Sequence, residues 1–361
     1  MRVIHVLSSV MWSGVERYSL DICRHCLAKG DDVIAVTRDA RAVDDVFRHH
    51  GIPVTFAPLG GFLSYGAVKS ICAVLSADSG PTVVHCHDTR DAFSVLTARS
   101  LLGRHDVRVI LTRHYVRRAG RSPFHKYVYR NVDDLVFVSK ISGDRFFSTW
   151  HGRDKERSEI NSHVIHNSLN IDLKPVVDEP RKGPVTATYL GRLAPHKGLE
   201  YLIRALSMLK DLKIRLRLVG SGHPDYVDSL RRRASEAGVM HMIDWPRHQE
   251  NAVDFIRLSH FGVLPSTAPE AFGLSNIEYM SEGRPLICTG NGAQPEYITN
   301  GREGILVPPR DVTTLAAEMR RLATSPELRQ RIGMAARERF EKELSWPHFI
   351  GRLYPLYEAR Q

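Results

Sequence analysis

Two glutamates, Glu270 and Glu278, stand with seven residues between them in the stretch Pro265-Ser266-Thr267-Ala268-Pro269-Glu270-Ala271-Phe272-Gly273-Leu274-Ser275-Asn276-Ile277-Glu278. Glu270 follows two prolines, which mark a loop. Glu278 lies in a run that reads as a short helix from near Gly273 to Gly283, a glycine being a usual helix exit. The first turn of such a helix leaves backbone N–H groups over, so Leu274 and Ser275 offer donors to an anion. Gly273, with no side chain, lets that anion come close. Loop extension and helical rise set the two carboxylates roughly 8–12 Å apart. The pair therefore suits a ligand with hydroxyls at both ends and negative charge between. Solvated surface acids are the plain alternative.

Cations come earlier, in Leu190-Gly191-Arg192-Leu193-Ala194-Pro195-His196-Lys197-Gly198. Lys197 at a helix start opposes the helix dipole unless an anion sits there too. Arg192, with its planar fork, and Lys197, a point charge, would together suit a diphosphate. Gly220-Ser221-Gly222 is a weaker phosphate-loop signal, and Arg247 follows in Asp244-Trp245-Pro246-Arg247. In the first half, Gly14 in Ser13-Gly14-Val15-Glu16 keeps a close backbone route to a phosphate. His85-Cys86-His87-Asp88 and Thr112-Arg113-His114 each end an apolar run. His85 reads as packing, and His87 as a residue near a ligand.

These groups need a frame. Short β-branched runs alternate with helical patterns: Val3–Leu7, Val33–Val36, Val54–Phe56, Thr82–Cys86, Val107–Leu111 and Leu135–Val138. Such runs indicate a parallel sheet covered on both faces. The pattern weakens in the Pro- and charge-rich Leu173–Pro184, then restarts at Val185–Leu190, Ile214–Val219, Phe261–Leu264, Pro285–Cys288 and Gly304–Val307. The expected architecture is α/β, with Rossmann-like domains over 1–172 and 185–343 facing across a cleft. A linker spans 173–184, and a tail, 344–361, packs back on the first domain. Open α/β sheets bind ligands at the carboxyl ends of their strands.

At 361 residues there is room for two cores. No apolar run reaches membrane-spanning length, and the opening run is too short for a signal peptide. A cytoplasmic protein, peripheral on the inner membrane face, is the expectation. The five cysteines give no disulfide framework, and Cys23-Arg24-His25-Cys26 lacks a second ligand pair for zinc. The net charge of +10 favours anionic partners.

The Glu270–Glu278 stretch resembles the Glu-seven-residues-Glu signature of the retaining glycosyltransferases of family 4, which have the GT-B fold. Gly191-Arg192-Leu193 with Lys197-Gly198 is similar to that family's diphosphate element. Ser13-Gly14-Val15-Glu16 resembles its Gly-Gly-x-Glu loop, with Ser13 in place of the first glycine. The two histidine stretches match its Val-x-His-x-His and Thr-x-His. The resemblance implies that Glu270 orients the donor sugar, Glu278 holds the ribose, and Arg192 and Lys197 stabilise the leaving diphosphate. It places His114 at the reacting centre, Gly14, Gly220, Arg247, Phe272, Gly273, Leu274 and Ser275 around the donor, and His87, Arg117 and Arg118 on the acceptor side. It further implies a nucleotide diphosphate sugar (UDP first), a glycan or polyprenyl-linked acceptor, front-face retention of configuration, no metal and no other cofactor.

Between Arg108 and Arg130 the chain has seven cations and no acid, with Tyr115, Phe124, Tyr127 and Tyr129 interleaved. A nucleic-acid face, an anionic leaflet or a solvated surface would each fit. The resemblance favours the membrane, since that region lies on the acceptor side, and disfavours nucleic acid. A sugar-nucleotide epimerase of the same fold, or a silent nucleotide-sugar or nucleic-acid binding module, are the rival functions.

Overall fold

The computed structural model describes residues 1–149, 160–176, 183–246 and 252–359. The chain divides into two compact units: Met1–Asn170 with Trp346–Gln361, and Ile171–Ser345.

The first unit is a seven-stranded sheet. Its strands are β1 (Arg2–Leu7), β2 (Asp32–Thr37), β3 (Val54–Phe56), β4 (Thr82–Cys86), β5 (Val107–Arg113), β6 (Asp134–Phe137) and β7 (Ser162–Val164), in the order β3-β2-β1-β4-β5-β6-β7. Every pairing is parallel. β1 and β4 are buried along their whole length, which explains why they read as unbroken apolar runs. Helices cover both faces: α1 (Gly14–Ala28), α2 (Arg41–His49), α3 (Tyr65–Ser76), α4 (Thr89–Leu102), α5 (Pro123–Asn131) and α6 (Lys140–Phe147). Their starts are written locally. Ser64, Asp88, Ser122 and Ser139 each accept a first-turn N–H, and Pro123 follows the cap of α5.

The second unit is a six-stranded parallel sheet of β8 (Val185–Leu190), β9 (Ile214–Val219), β10 (Ile243–Asp244), β11 (Phe261–Leu264), β12 (Leu286–Thr289) and β13 (Ile305–Val307), ordered β10-β9-β8-β11-β12-β13. Around it lie α7 (Leu199–Ser207), α8 (Pro224–Glu236), α9 (Ala252–Arg257), α10 (Leu274–Ser281), α11 (Val312–Thr324) and α12 (Pro326–Arg339). Both sheets reverse strand order beside their first strand, between β1 and β4 and between β8 and β11. In open α/β sheets such switch points are where ligands are received, outside the carboxyl ends of the strands.

Several expectations need correction. The segment expected as a tail is a helix, α13 (Trp346–Glu358), with Pro355 inside it. It packs in the first unit, where Phe349 meets Tyr18 edge-on and the Tyr354 hydroxyl donates to Asp31 at 2.8 Å. Helices α2, α5 and α6 were not foreseen as elements. Of the expected linker 173–184, residues 177–182 lie outside the described residues; 173–176 are exposed coil. Cys23 and Cys26 are buried core thiols, and burial pushes Cys26 up to about 12.

The basic run 108–130 is not one surface either. Arg108 sits on β5 and grips the fully buried Asp134 at 2.6 Å. Arg113 donates to Thr89 at 2.6 Å and lies over the Phe146 ring. Arg117, Arg118, Arg121 and Lys126 are exposed, as are Tyr115, Phe124 and Tyr127, whereas Tyr129 is core.

Candidate active site

In the second unit, four loops leaving the carboxyl ends of β8, β9, β11 and β12 lean on one another's backbones. Leu193 N–H donates to Ser221 O at 2.8 Å, Thr267 N–H to His196 O at 2.9 Å and Ala293 N–H to Glu270 O at 3.0 Å. Glycine is required where they touch. A β-carbon on Gly198, whose φ is +70°, would fall 2.1 Å from Pro265 O. On Gly220, at φ +145°, it would fall 1.9 Å from Gly191 O. Backbone packing therefore accounts for Gly220, independently of any phosphate.

Lys197 ends a one-turn 3-10 helix, Pro195–Lys197, immediately before α7. Its ammonium pairs with Glu270 at 2.6 Å, and Ser266 donates to the same Glu270 oxygen at 2.5 Å. A carboxylate thus supplies the negative charge that the sequence reading assigned to a bound diphosphate. Burial pushes the Glu270 carboxyl up, but Lys197 and the Ser266 hydroxyl outweigh it and hold the group below its usual range. Arg192 is exposed in the same loop, whose turn is fixed by Tyr189 O–H donating to Arg192 O at 2.8 Å.

Helix α10 begins at Gly273 with φ +90° and with no side-chain cap. Its first residues, Leu274 and Ser275, are partly exposed, while Glu278 is buried at 5 %. The uncapped start of this eight-residue helix leaves backbone N–H groups of the kind that can receive an anion. Phe272 differs from its expected place around a ligand. It is 2 % exposed and packs against Tyr297, whose hydroxyl donates to Phe272 O at 2.5 Å, so it braces the loop from inside. Arg247 lies outside the described residues.

Sequence reasoning missed the support behind Glu270. Asn291 donates to Thr267 O at 3.1 Å, and Gly292 abuts the backbone of Glu270. The signal was present in Gly290-Asn291-Gly292, glycines directly after a strand.

In the first unit, register brings the histidines together. His5 on β1 pairs with His85 on β4, and His87 and His114 follow β4 and β5. His87 Nδ1 lies 3.0 Å from His114 Nε2, and His87 Nε2 lies 3.0 Å from Ser19 Oγ and 3.2 Å from His5 Nδ1. His87 is 7 % exposed, so it acts on its neighbours rather than at a surface; His114 is half-buried. His85 is enclosed, bonded to Tyr357 and Thr112. Burial pushes His5 down to about 3, and burial with the nearby Arg113 takes His114 to about 3. His5, His85 and His87 bring ligand-capable nitrogens within 4.8 Å of one another. Those nitrogens are engaged by the hydrogen bonds just given.

Gly14 is the first residue of α1, capped by Ser13. Ser13 accepts from Val15 N–H at 3.4 Å and donates to the buried Glu16 at 2.5 Å. Ser13 thus serves as the N-cap of α1 and also ties down the Glu16 carboxylate. Arg117 and Arg118 are exposed beyond β5, with Arg117 over the Tyr115 ring.

Comparison with known proteins agrees with this division. Residues 12–173 match the family described as Glycosyltransferase Family 4, and residues 171–339 match Glycosyl transferases group 1. Glycogen synthase of Mycobacterium tuberculosis is 28% identical over 282 residues, which cover 74% of this chain and 66% of that enzyme. D-inositol 3-phosphate glycosyltransferase of Streptomyces scabiei is 31% identical over 194 residues, 48% of this chain and 43% of that one. The chain thus matches about two thirds or less of the length of these relatives. Among solved structures, HepE of Anabaena in complex with UDP and glucose has a TM-score of 0.83 at 18% identity, covering 99% of this chain and 100% of that one. A glycosyltransferase of Rickettsia africae has a TM-score of 0.84 at 19% identity, covering 99% and 97%. Those two structures speak to fold alone, and the sequence matches to lineage: with both units matched in turn from residue 12 to residue 339, the chain belongs to the family 4 glycosyltransferases and has the GT-B fold.

Proposed function

We propose that the protein moves a hexose-type sugar from a nucleotide diphosphate sugar to a hydroxyl of a glycan or lipid-linked acceptor. The reading includes retained anomeric configuration, no metal, and a role in cell-surface polysaccharide synthesis at the inner membrane face. One observation carries it: the Lys197–Glu270 pair stands in the same loop cluster as the uncapped start of α10. UDP is the favoured base, since HepE has been solved with UDP and with UDP-glucose.

In this reading the acceptor oxygen forms its bond to the anomeric carbon as the bond to the phosphate oxygen breaks. The leaving oxygen takes the acceptor proton on the same face. Lys197, Arg192 and the N–H groups of Leu274 and Ser275 offset the charge growing on the diphosphate, a form of preorganised electrostatics. Glu270 turns from Lys197 toward the sugar hydroxyls, and Glu278 holds the ribose. Two carboxylates about 5 Å apart, as a double-displacement glycosidase uses, are not required.

The test is a panel of UDP-, GDP- and ADP-sugars scored for nucleoside diphosphate release with and without glycan acceptors. One donor should release its nucleotide slowly alone and faster with acceptor, giving a product of unchanged anomeric configuration. Donor interconversion without acceptor would identify an epimerase instead. Binding without release from any donor would identify a silent module.

A further inference from the structure

The histidines beneath His114 form a continuous hydrogen-bonded chain, and one end fixes its direction. Ser19 Oγ donates its single proton to the carbonyl of Val15 at 2.9 Å. Only lone pairs then remain for His87 Nε2, 3.0 Å away. His87 therefore carries its proton on Nε2, and its Nδ1 is bare. That bare nitrogen lies 3.0 Å from His114 Nε2, which must be the donor. The other branch agrees. His5 Nδ1 faces the protonated His87 Nε2 at 3.2 Å and has to be an acceptor, so the His5 proton is on Nε2, 3.4 Å from the Tyr357 oxygen. Beyond it, His85 Nδ1 lies 2.5 Å from the Tyr357 oxygen and His85 Nε2 lies 2.7 Å from Thr112 Oγ1, and these two hydroxyls suit either tautomer of His85. No contact opposes this polarity. Reversing His5, His87 or His114 alone sets two N–H groups, or two lone pairs, against each other, whereas His85 faces two hydroxyls that suit either of its tautomers.

Burial supports the single-proton bookkeeping, since desolvation holds His5, His85, His87 and His114 neutral at pH 7. His114 thus has one proton, and it points inward. Its Nδ1 has no hydrogen-bond partner among the described residues.

We propose that Ser19 locks the polarity of this chain, with His87, His5 and Tyr357 as positioning residues, so that His114 presents a bare Nδ1 as acceptor for a hydroxyl of a bound sugar. The ligand half of this inference rests on the glycosyl-transfer reading; the lock does not. A hydroxyl donor fits the bare nitrogen, whereas a phosphate or carbonyl oxygen would meet lone pair with lone pair. Ser19, His5 and Tyr357 touch no ligand in this account and act through His114.

Long-range proton–nitrogen spectra of the full chain labelled with 15N-histidine at pH 7 decide the lock. Removing each histidine in turn assigns the signals. The expected result is the Nε2–H tautomer at His5, His87 and His114. A His114 found as the Nδ1–H tautomer, or doubly protonated, overturns the proposal. In Ser19→Ala both polarities become allowed, so the His87 and His114 nitrogens should move toward averaged shifts while the chain stays folded. A single unchanged tautomer in a folded Ser19→Ala removes Ser19 from the role. A purely structural serine would alter melting temperature but not tautomer. For the ligand half, the sugar nucleotide that supports turnover should shift His114 Nδ1 toward its hydrogen-bonded value, and UDP alone should not. A turned-over donor that leaves Nδ1 unmoved refutes that half. Absence of turnover with every donor defeats the functional reading, while the apo spectrum still decides the lock.

Discussion

Gly292 lies directly behind Glu270: a β-carbon on Gly292 would sit 2.4 Å from the Glu270 carbonyl oxygen and 2.5 Å from its nitrogen. Both are backbone atoms, so the clash cannot be relieved by turning a side chain. In Gly292→Ala the Glu270 loop must move. Overpacking of this kind costs about 1–3 kcal/mol. A shift near 1 Å at a positioned group can lower kcat by about 10²-fold. Thermal melts and steady-state kinetics check both effects. Wild-type values in both would show that the loop does not depend on this backing.

Lys197 should matter more to turnover than to donor affinity. Replacing it with Met removes the cation nearest Glu270. If the ammonium stabilises the leaving group, kcat and kcat/KM fall together by about 10²-fold or more. A raised KM with normal kcat would reassign Lys197 to ground-state binding.

The same pair sets a pH dependence. The Glu270 carboxyl is held below its ordinary range in the folded chain. The unfolded chain therefore takes up the proton first, and the stability from this pair is complete above about pH 4.3, the ordinary glutamate value. It is lost as pH falls through the folded value. In Lys197→Met burial remains and the counter-charge is gone, so the carboxyl rises and the variant should gain stability on acidification from neutral pH. Melting temperatures between pH 3 and 8 would show the wild type level above about pH 4.3 and falling below it, while the variant rises as the pH drops from neutral. Parallel profiles would mean the pair is not coupled.

The frame was more legible in the sequence than the braces. Buried parallel strands such as β1 and β4 are apolar on both faces and announce themselves as short β-branched runs. Glu270, Lys197 and the α10 start were readable because spacing along the chain carries them. Gly290-Asn291-Gly292 carried a visible turn signal, but the seat of Gly292 against Glu270 and the role of Ser19 were not readable, because both act through contacts across the fold. The hydrogen bond between His85 and Tyr357 joins residues 272 positions apart. Phe272 misled because an aromatic beside a glycine in a loop reads the same whether it faces a ligand or the core. The helix α13 was hidden by Pro355, which reads as a breaker.

Asp91 should limit stability at alkaline pH. It is 1 % exposed in the first turn of α4 and accepts from Gly60 N–H at 3.0 Å; among the described residues no hydrogen bond reaches its Oδ2. Burial, with a further push from Asp88, raises its carboxyl to about 7. An unfolded aspartate titrates near 3.9, so the folded chain holds the proton longer. Its favourable contribution is full below about pH 4 and is lost as pH rises through 7. Asp91→Asn keeps the acceptor for Gly60 and carries no charge. It should raise the melting temperature at pH 8 and leave it nearly unchanged at pH 4. Equal shifts at both pH values would assign the effect to packing.

The exposed cations beyond β5 give the membrane reading its test. Arg117, Arg118 and Arg121 are exposed, and among the described residues no carboxylate forms an ion pair with them. Phe124 and Tyr127 are exposed alongside, with Phe62 stacked on Phe124. Such a surface suits the boundary of an anionic bilayer, where cations supply attraction and rings sit among the headgroups. Each arginine near the surface contributes about 1 kcal/mol, so replacing all three with Gln should weaken partition to vesicles containing phosphatidylglycerol by about 10²-fold. Binding of the wild type should also fall steeply between 0.05 and 0.5 M salt, given a screening length of about 10 Å at 0.1 M. Cosedimentation with anionic and with purely zwitterionic vesicles measures both. Equal binding to the two vesicle types, or a triple variant that sediments like the wild type, would leave these arginines as an ordinary solvated surface.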